Sequence, residues 1–512
     1  MRIATAAISA VMLTLGVAGP AMAHPTTAIL PPLTVDLTHF ASDNVAFEAR
    51  FHEHFGSAGG QMTSNDWEDG AEFFVVTDPR GLYTYDVSDP KSPVQLGMVL
   101  LPQSQSTTNV ALGQEDPSTD GKLVLMDGMD VATNERGMQI VNIEDPTNPV
   151  IVGSYGGSDH TWTCVSDVAT GNGCAYAYGR SDNIIDIREP AAPNKIGTGW
   201  KSATGEGGYA HDLTEIRPGL VMHAGAEPVL MDTTDPENPV LLSQVTLFDH
   251  ASPNDDLYPM QRKWSTFGYH SVEWANQGTD NFLVMGTEIA PGDAGDDCSA
   301  DESVIETWDA RPIIAAFAQM DAMKATGSTH EEARTAAFGD GTLVNFVRLD
   351  SYQAQGTGSA VTGQAPSNAL YCAHWMEPNP SWSNGGVLAV GYYNRGARFV
   401  NVDSEGIMTE AGWFTGADAY AGSAQWADDN TVYVMDYVRG MDVISFTGDE
   451  ATGSYSGVGS VSENAMTVAE MGALGIAPAV PSSGTSTALV MVGVALAAAA
   501  VARRRTATAV KG

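Results

Sequence analysis

Four histidines open what read as equivalent strands in successive stretches of the chain: His160 in "DHTWTC", His211 in "AHDLTE", His270 in "YHSVEW" and His374 in "AHWMEP". They lie 51, 59 and 104 residues apart. Imidazole is the commonest protein metal ligand, and several imidazoles brought to one point make a site for Zn, Fe or Cu. Asp212, Glu215 and Glu273 stand on the same short stretches and are candidates to orient the rings from behind as hydrogen-bond acceptors. A structural reading competes: each ring caps the start of its own strand and recurs because the strand recurs. Both readings require a fold that sets the first strands of successive repeats side by side.

That fold is legible in a repeated phrase. "LYTYDVSDPKSPVQLG", "MQIVNIEDPTNPVIVG", "NIIDIREPAAPNKIG" and "PVLMDTTDPENPVLLS" each run an alternating strand into a turn with two prolines three residues apart. The first prolines, Pro90, Pro146, Pro190 and Pro236, are spaced by 56, 44 and 46 residues. An acidic residue before proline leaves the helical region, and proline presets a turn. The second proline opens the next strand and costs a ladder hydrogen bond unless that strand is an edge. Two earlier strands precede each phrase, so a repeat holds four antiparallel strands, the pattern of a propeller blade. The fold class is therefore all-β: a single β-propeller with seven four-stranded blades at about 57–102, 103–156, 157–204, 206–249, 266–353, 370–416 and 420–447. Blade five carries a helical insertion at about 290–342, with "ARPIIAAFAQMDAMKATG" and "THEEARTAAF" as its helices.

In a propeller the first strand of each blade lines the central channel. The four histidines then converge near one mouth, with Asn109 and Gln425 in the corresponding places of the flanking blades. In the last blade the hairpin "VYVMDYVRGMDVISF" at 432–446 supplies the second and third strands, and no fourth strand follows it. An open edge must be covered, so a segment within about 33–55 is expected to supply that strand and close the ring.

The phrase resembles the LVIVD repeat of secreted and surface β-propellers, and "AHWMEPNP", "VGYYNRGARFVNVD" and "AGWF" are similar to the later part of such proteins. The resemblance covers about 60–447, without the blade-five insertion, and implies a propeller at a cell surface. It implies little about activity. Four histidines on a seven-bladed axis are similar to the arrangement in carotenoid-cleaving oxygenases, with no wider likeness.

The ends and the charge give the address. "MRIATAAISAVMLTLGVAGPAMAHP" reads as a signal peptide over residues 1–23, cleaved after Ala21-Met22-Ala23. The propeller domain spans 24–447, and a Gly/Ser/Thr-rich stalk follows at 448–486. Residues 487–502 form an apolar run short of the usual span of about 20. Arg503, Arg504 and Arg505 mark a cytoplasmic tail at 503–512. "VPSSG" before the run resembles a sortase signal, which would place the chain on the wall. With 62 acidic against 24 basic residues and a net charge of −38, nucleic acid is excluded as a partner. Four cysteines in an exported chain allow disulfides: Cys164 with Cys174 across a hairpin, and Cys298 with Cys372 tying the insertion down.

Other candidates carry less. His52 and His54 in "HEH" would share one face of a strand and weakly suggest a metal. Trp375 and Tyr393 read as blade-core aromatics, with a ligand surface as the alternative. No Gly-x-Ser-x-Gly, His-Glu-x-x-His or phosphate-cradling signature is present. The expected function is a surface-anchored binding or adhesion module for an extracellular protein, carbohydrate or small ligand, held to the membrane by its carboxyl-terminal segment. The alternative is a metal-dependent extracellular enzyme, an oxidoreductase or hydrolase, using the four histidines.

Overall fold

Each proline phrase closes into the turn between the third and fourth strands of a blade. The structure is a computed structural model that describes residues 38–458, apart from 102–116, 131–134, 205–209, 246–268, 289–302, 355–371, 449–453 and scattered shorter gaps. In the four phrases the backbone N–H of Ser92, Asn148, Ala192 and Asn238 donates to the carbonyl of Asp89, Asp145, Glu189 and Asp235, at 2.8–3.0 Å. The aspartates add a side-chain bond to the second residue on, as Asp145 Oδ1 does with the Thr147 N–H. These turns also clip neighbouring blades together. The Pro90 carbonyl accepts from Tyr433, Pro146 from Thr84 and Pro236 from Tyr178, each on the preceding blade. The glycine that ends the phrase makes room for this contact: a Cβ on Gly153 would sit 1.8 Å from the Pro190 carbonyl oxygen.

Seven sheets result, at 59–100, 118–156, 162–195, 210–244, 271–352, 376–416 and 421–446, each within the range expected from sequence. Their first strands contact one another in order and form the innermost ring. Seven apolar clusters fill the seven blade-to-blade interfaces, such as Phe73, Val75, Leu82, Val124 and Val141 between blades one and two. The core is thus divided among blade faces rather than gathered at one centre.

The ring closes through the amino-terminal segment. Val45–Phe51 pairs antiparallel with Gly440–Phe446, from Val45 opposite Phe446 to Phe51 opposite Met441, and is the fourth strand of blade seven. Thr38–Ser42, just before it, pairs with Met408–Gly416 and adds a fifth strand to blade six. Ser454–Val458, inside the range read as stalk, adds a sixth strand outside Thr38–Ser42. A buried ion cluster fixes the closure. Arg50 donates to Asp442 at 2.6 Å, Arg439 donates to the same carboxylate at 2.8 Å, and all three are about 1% exposed.

The insertion differs from its expected form. The third strand of blade five, Ile305–Asp309, lies within the 290–342 block, so that block is not one excursion. The helices Arg311–Ala325 and His330–Phe338 occupy the connection between the third and fourth strands. A capping box between Thr329 and Glu332 starts the second helix. Ile313, Met320, Ala333 and Phe338 pack into the cluster between blades four and five. His330 Nε2 lies 2.6 Å from Asp232, which pins the insertion to blade four. No helix among the described residues is long and apolar enough to cross a membrane. The expected signal peptide at 1–23, anchor helix at 487–502 and tail at 503–512 lie outside the described residues.

Candidate metal centre

Strand register brings three of the four histidines to one level of the channel. The His270 N–H donates to the Gly286 carbonyl and the His374 N–H to the Gly391 carbonyl, so both residues extend their first strands by one rung. His211 is the second residue of Ala210–Arg217, where a bulge between Ala210 and Asp212 places it beside the same level. The rings of His211 and His270 have centroids 3.8 Å apart, and those of His270 and His374 4.2 Å apart. All three side chains are buried. His160, expected as the fourth ligand, and Asn109 lie outside the described residues.

The group that meets these rings is a carboxylate the sequence reading passed over. Glu288 follows Phe282–Gly286, the second strand of blade five, and is 2% exposed. Its Oε2 lies 3.7 Å from His270 Nε2 and 4.0 Å from His211 Nε2, and its Oε1 lies 3.9 Å from His374 Nε2. Ligand atoms of His211, His270 and Glu288 all fall within 4.8 Å of one another. Two donors on one metal with bonds near 2.1 Å stand about 3.4 Å apart at a tetrahedral angle. The Glu288–histidine separations exceed this by about 0.3–0.6 Å and the 4.8 Å span of the set by about 1.4 Å, so the two imidazoles as well as Glu288 must turn to share one ion.

Neighbouring groups hold this arrangement. Tyr393 donates its hydroxyl to Glu288 Oε1 at 2.5 Å, which leaves Oε2 directed at His211 and His270. His374 Nδ1–H donates to the Gly422 carbonyl at 2.7 Å; a carbonyl only accepts, so the neutral ring keeps its lone pair on Nε2, facing Glu288. Tyr393 has φ +38, a left-handed conformation rare for an aromatic residue. It is held there by two backbone bonds with Ala421 and by stacking on Tyr420 at 4.5 Å. Strain of this kind concentrates at functional sites.

The other expected site residues fall elsewhere. Glu215 stands four residues beyond His211 and Glu273 three beyond His270, further down the same inner strands. At about 3.3 Å per residue that is roughly 10 Å from the rings. Glu215 accepts from the backbone and hydroxyl of Ser166, and Asp212 lies within reach of the Thr214 hydroxyl. The carboxylate set against the rings is therefore Glu288, on a second strand. Gln425 lies opposite Tyr433, near the far end of its strand, whereas Tyr420 occupies the histidine level of blade seven. The "HEH" segment forms a 3-10 turn, so its histidines do not share a strand face. His54 is packed between Asp78 and Tyr85. Cys164 and Cys174 form the expected disulfide within blade three. Cys372 is also disulfide-bonded, and its expected partner Cys298 lies outside the described residues.

Below the rings the channel opens into a cavity of about 480 Å³, lined by all seven first strands. Asp120, Glu215, Glu273, Glu377 and Gln425 face it, together with Trp375. Burial pushes the Glu215 carboxyl up to about 7 against the bonds from Ser166. Burial pushes Glu377 up to about 8 against one bond from the Trp426 N–H. An acid raised in the folded state contributes stability below its ordinary value of 4.5, and that contribution is lost as pH rises through 8. Relative to Glu377→Gln, the wild type is expected to lose on the order of 4 kcal/mol across this window. Thermal unfolding from pH 5 to 8 reads it as a wild-type Tm that falls away from the variant's; parallel curves would contradict it.

No family model matches the chain, and no curated protein matches it. Solved structures do, at low identity. A protein from Lactobacillus plantarum shares 12% identity with a TM-score of 0.39, covering 82% of this chain and 99% of that one. A hypothetical selenium-binding protein from Sulfolobus tokodaii shares 10% at 0.38, covering 82% and 95%. The Nup133 β-propeller domain of Vanderwaltozyma polyspora shares 10% at 0.40, covering 81% and 98%. Identities this low speak to fold alone, and TM-scores below 0.5 lend this chain no ligand, partner or reaction. What the chain is shown to be is a seven-bladed β-propeller of four-stranded blades.

Proposed function

We propose that this chain is an exported, surface-anchored propeller of the LVIVD-repeat kind that acts as a metal-dependent extracellular enzyme. One observation carries the reading: a buried carboxylate, Glu288, lies within 4.0 Å of the Nε2 atoms of His211, His270 and His374. Two imidazoles and one carboxylate form a donor set common to catalytic zinc and non-haem iron, with coordination positions left for a substrate. Zn or Fe suits the set better than Cu, whose affinity is for softer or more nitrogen-rich surroundings. His374 stands at the other oxygen, able to add a ligand or to hold a proton at Nε2. The adhesive reading rested mainly on the lack of any chemical signature, and Glu288 weakens that ground. Export is supported by the Cys164–Cys174 disulfide, which persists in oxidising compartments. The signal peptide, stalk and anchor remain proposals from sequence.

Metal analysis of the purified ectodomain tests the reading. About one equivalent of Zn or Fe is expected after exchange into chelator-free buffer, and its loss is expected in the His211→Ala/His270→Ala variant. A wild type that takes up no more metal than that variant would sink the proposal.

A further inference from the structure

We infer that the crevice between the insertion and blade four is a binding site for a small carboxylic acid with an apolar body, its carboxylate received by the Arg217 guanidinium. The crevice has a volume of about 210 Å³. That is room for roughly seven waters at about 30 Å³ each, and so for a ligand of about as many heavy atoms. One wall is the turn at residues 217–220 of blade four. The other is one face of the helix Arg311–Ala325, where Phe317, Met320, Asp321 and Lys324 recur at helical spacing.

The charges around the crevice leave one cation over. Lys324 pairs with Asp321 at 2.7 Å, and His330 and Arg334 both reach Asp232. Arg217 has no carboxylate at ion-pair distance among the described residues. Elsewhere this acidic chain supplies one: Arg50, Arg188, Arg311 and Arg439 each have a carboxylate oxygen at 2.6–2.8 Å. Partial burial holds the Arg217 guanidinium below its ordinary range, and the attraction of Asp321 only partly offsets this. An anion brought to the guanidinium relieves that penalty.

The guanidinium is already oriented for the task. Its Nη1 donates to the Gln277 carbonyl at 2.7 Å and to the Gly278 carbonyl at 3.4 Å. Those carbonyls come from a turn in which Asn276, Gln277 and Gly278 have φ of +55, +55 and +73. Residues with a Cβ rarely adopt that conformation in succession. The guanidinium carbon lies 4.8 Å from the centre of the Phe317 ring, itself part of the crevice wall. Tethered through Nη1, the group keeps its Nε and Nη2 donors, for which no acceptor stands among the described residues. Two parallel N–H groups of this kind form the fork that grips a carboxylate with two bonds. Leu220, Leu242, Met320 and Phe317 add apolar surface to the lining, which a hydrated inorganic anion cannot use. The ligand therefore joins a carboxylate to a short aliphatic or aromatic body. The inference does not depend on the metal centre.

Calorimetry and ligand-observed NMR on the intact ectodomain provide the test, run on chelator-treated protein so that the fate of the metal centre does not affect the result. Benzoate and isovalerate are the probes, with benzyl alcohol and inorganic phosphate as controls for the charge and the apolar body. At least one carboxylate is expected to bind, and both controls at least about ten-fold more weakly. Arg217→Lys, which keeps the charge and removes the fork, is expected to weaken the carboxylate at least about five-fold. Lys324→Glu, on the exposed rim and away from the 276–278 turn, is expected to weaken it as well with folding unchanged. No carboxylate binding, a control bound as tightly as the carboxylate, or binding unchanged in both variants overturns the inference.

Discussion

Replacing Asp442 with alanine is expected to destabilise the propeller by about 3–5 kcal/mol, the cost of removing one partner from a buried ion pair. The geometry argues for the upper end. Arg50 and Arg439 both donate to this carboxylate, and neither guanidinium is more than about 1% exposed. Arg50 belongs to the amino-terminal strand and Arg439 to the turn of the last hairpin, so the damage falls on the closure of the ring. Denaturant unfolding would read the loss, and limited proteolysis would locate it as early cleavage around residues 38–51. Arg50→Met offers a contrast, because it removes one charge and leaves the Arg439–Asp442 pair intact. It is expected to cost less than Asp442→Ala; an equal or greater cost would mean that the cluster does not act as a unit.

Glu288→Gln is expected to lower metal affinity by about 100-fold or more while leaving the metal-free protein nearly as stable as before. The reference is the 10- to 100-fold loss typical of changes to groups that only support a ligand; a group bound directly should exceed it. Glutamine keeps the shape and can still accept from Tyr393, but it lacks the charge that a divalent ion needs. The structural alternative gives a different pattern. If the carboxylate serves only to pair with ring protons, Glu288→Gln lowers the thermal midpoint of metal-free protein and changes no metal titration. Metal titration and thermal unfolding of the same two proteins therefore separate the readings.

Repetition made the fold legible. The double-proline phrase marks the turn of four blades, and each of its positions has a structural cause: the acid closes the turn, the second proline starts an edge strand, and the glycine admits the next blade's carbonyl. The missing strand could be located within about 33–55 because an open edge demands a partner, and Val45–Phe51 fills that place. The histidine level was legible for the same reason, since His211, His270 and His374 occupy equivalent rungs. Glu288 escaped because the search followed the first strands, and Glu288 lies beyond the end of a second strand. Its position is nevertheless readable from register: the glycine that pairs with the histidine is followed two residues later by Glu288 in "GTE" and by Tyr393 in "GYY". Glu215 and Glu273 were placed on the rings because they are near in sequence. A strand advances about 3.3 Å per residue, so three residues suffice to move a carboxylate out of one chamber and into the next.

The amino-terminal strand also imposes an order on synthesis. Arg50 and Asp442 are separated by 392 residues, so one of the earliest blade-forming segments to be made is among the last to find its partner. At 5–20 residues per second the ribosome needs roughly 20–80 s to cover that distance. Throughout that interval Val45–Phe51 is an unpaired apolar strand, the kind of edge that recruits other chains. Crowded nascent chains are therefore most exposed to mutual strand exchange before the last blade emerges, and a holding factor that covers residues 38–51 during that wait should raise the yield of closed rings.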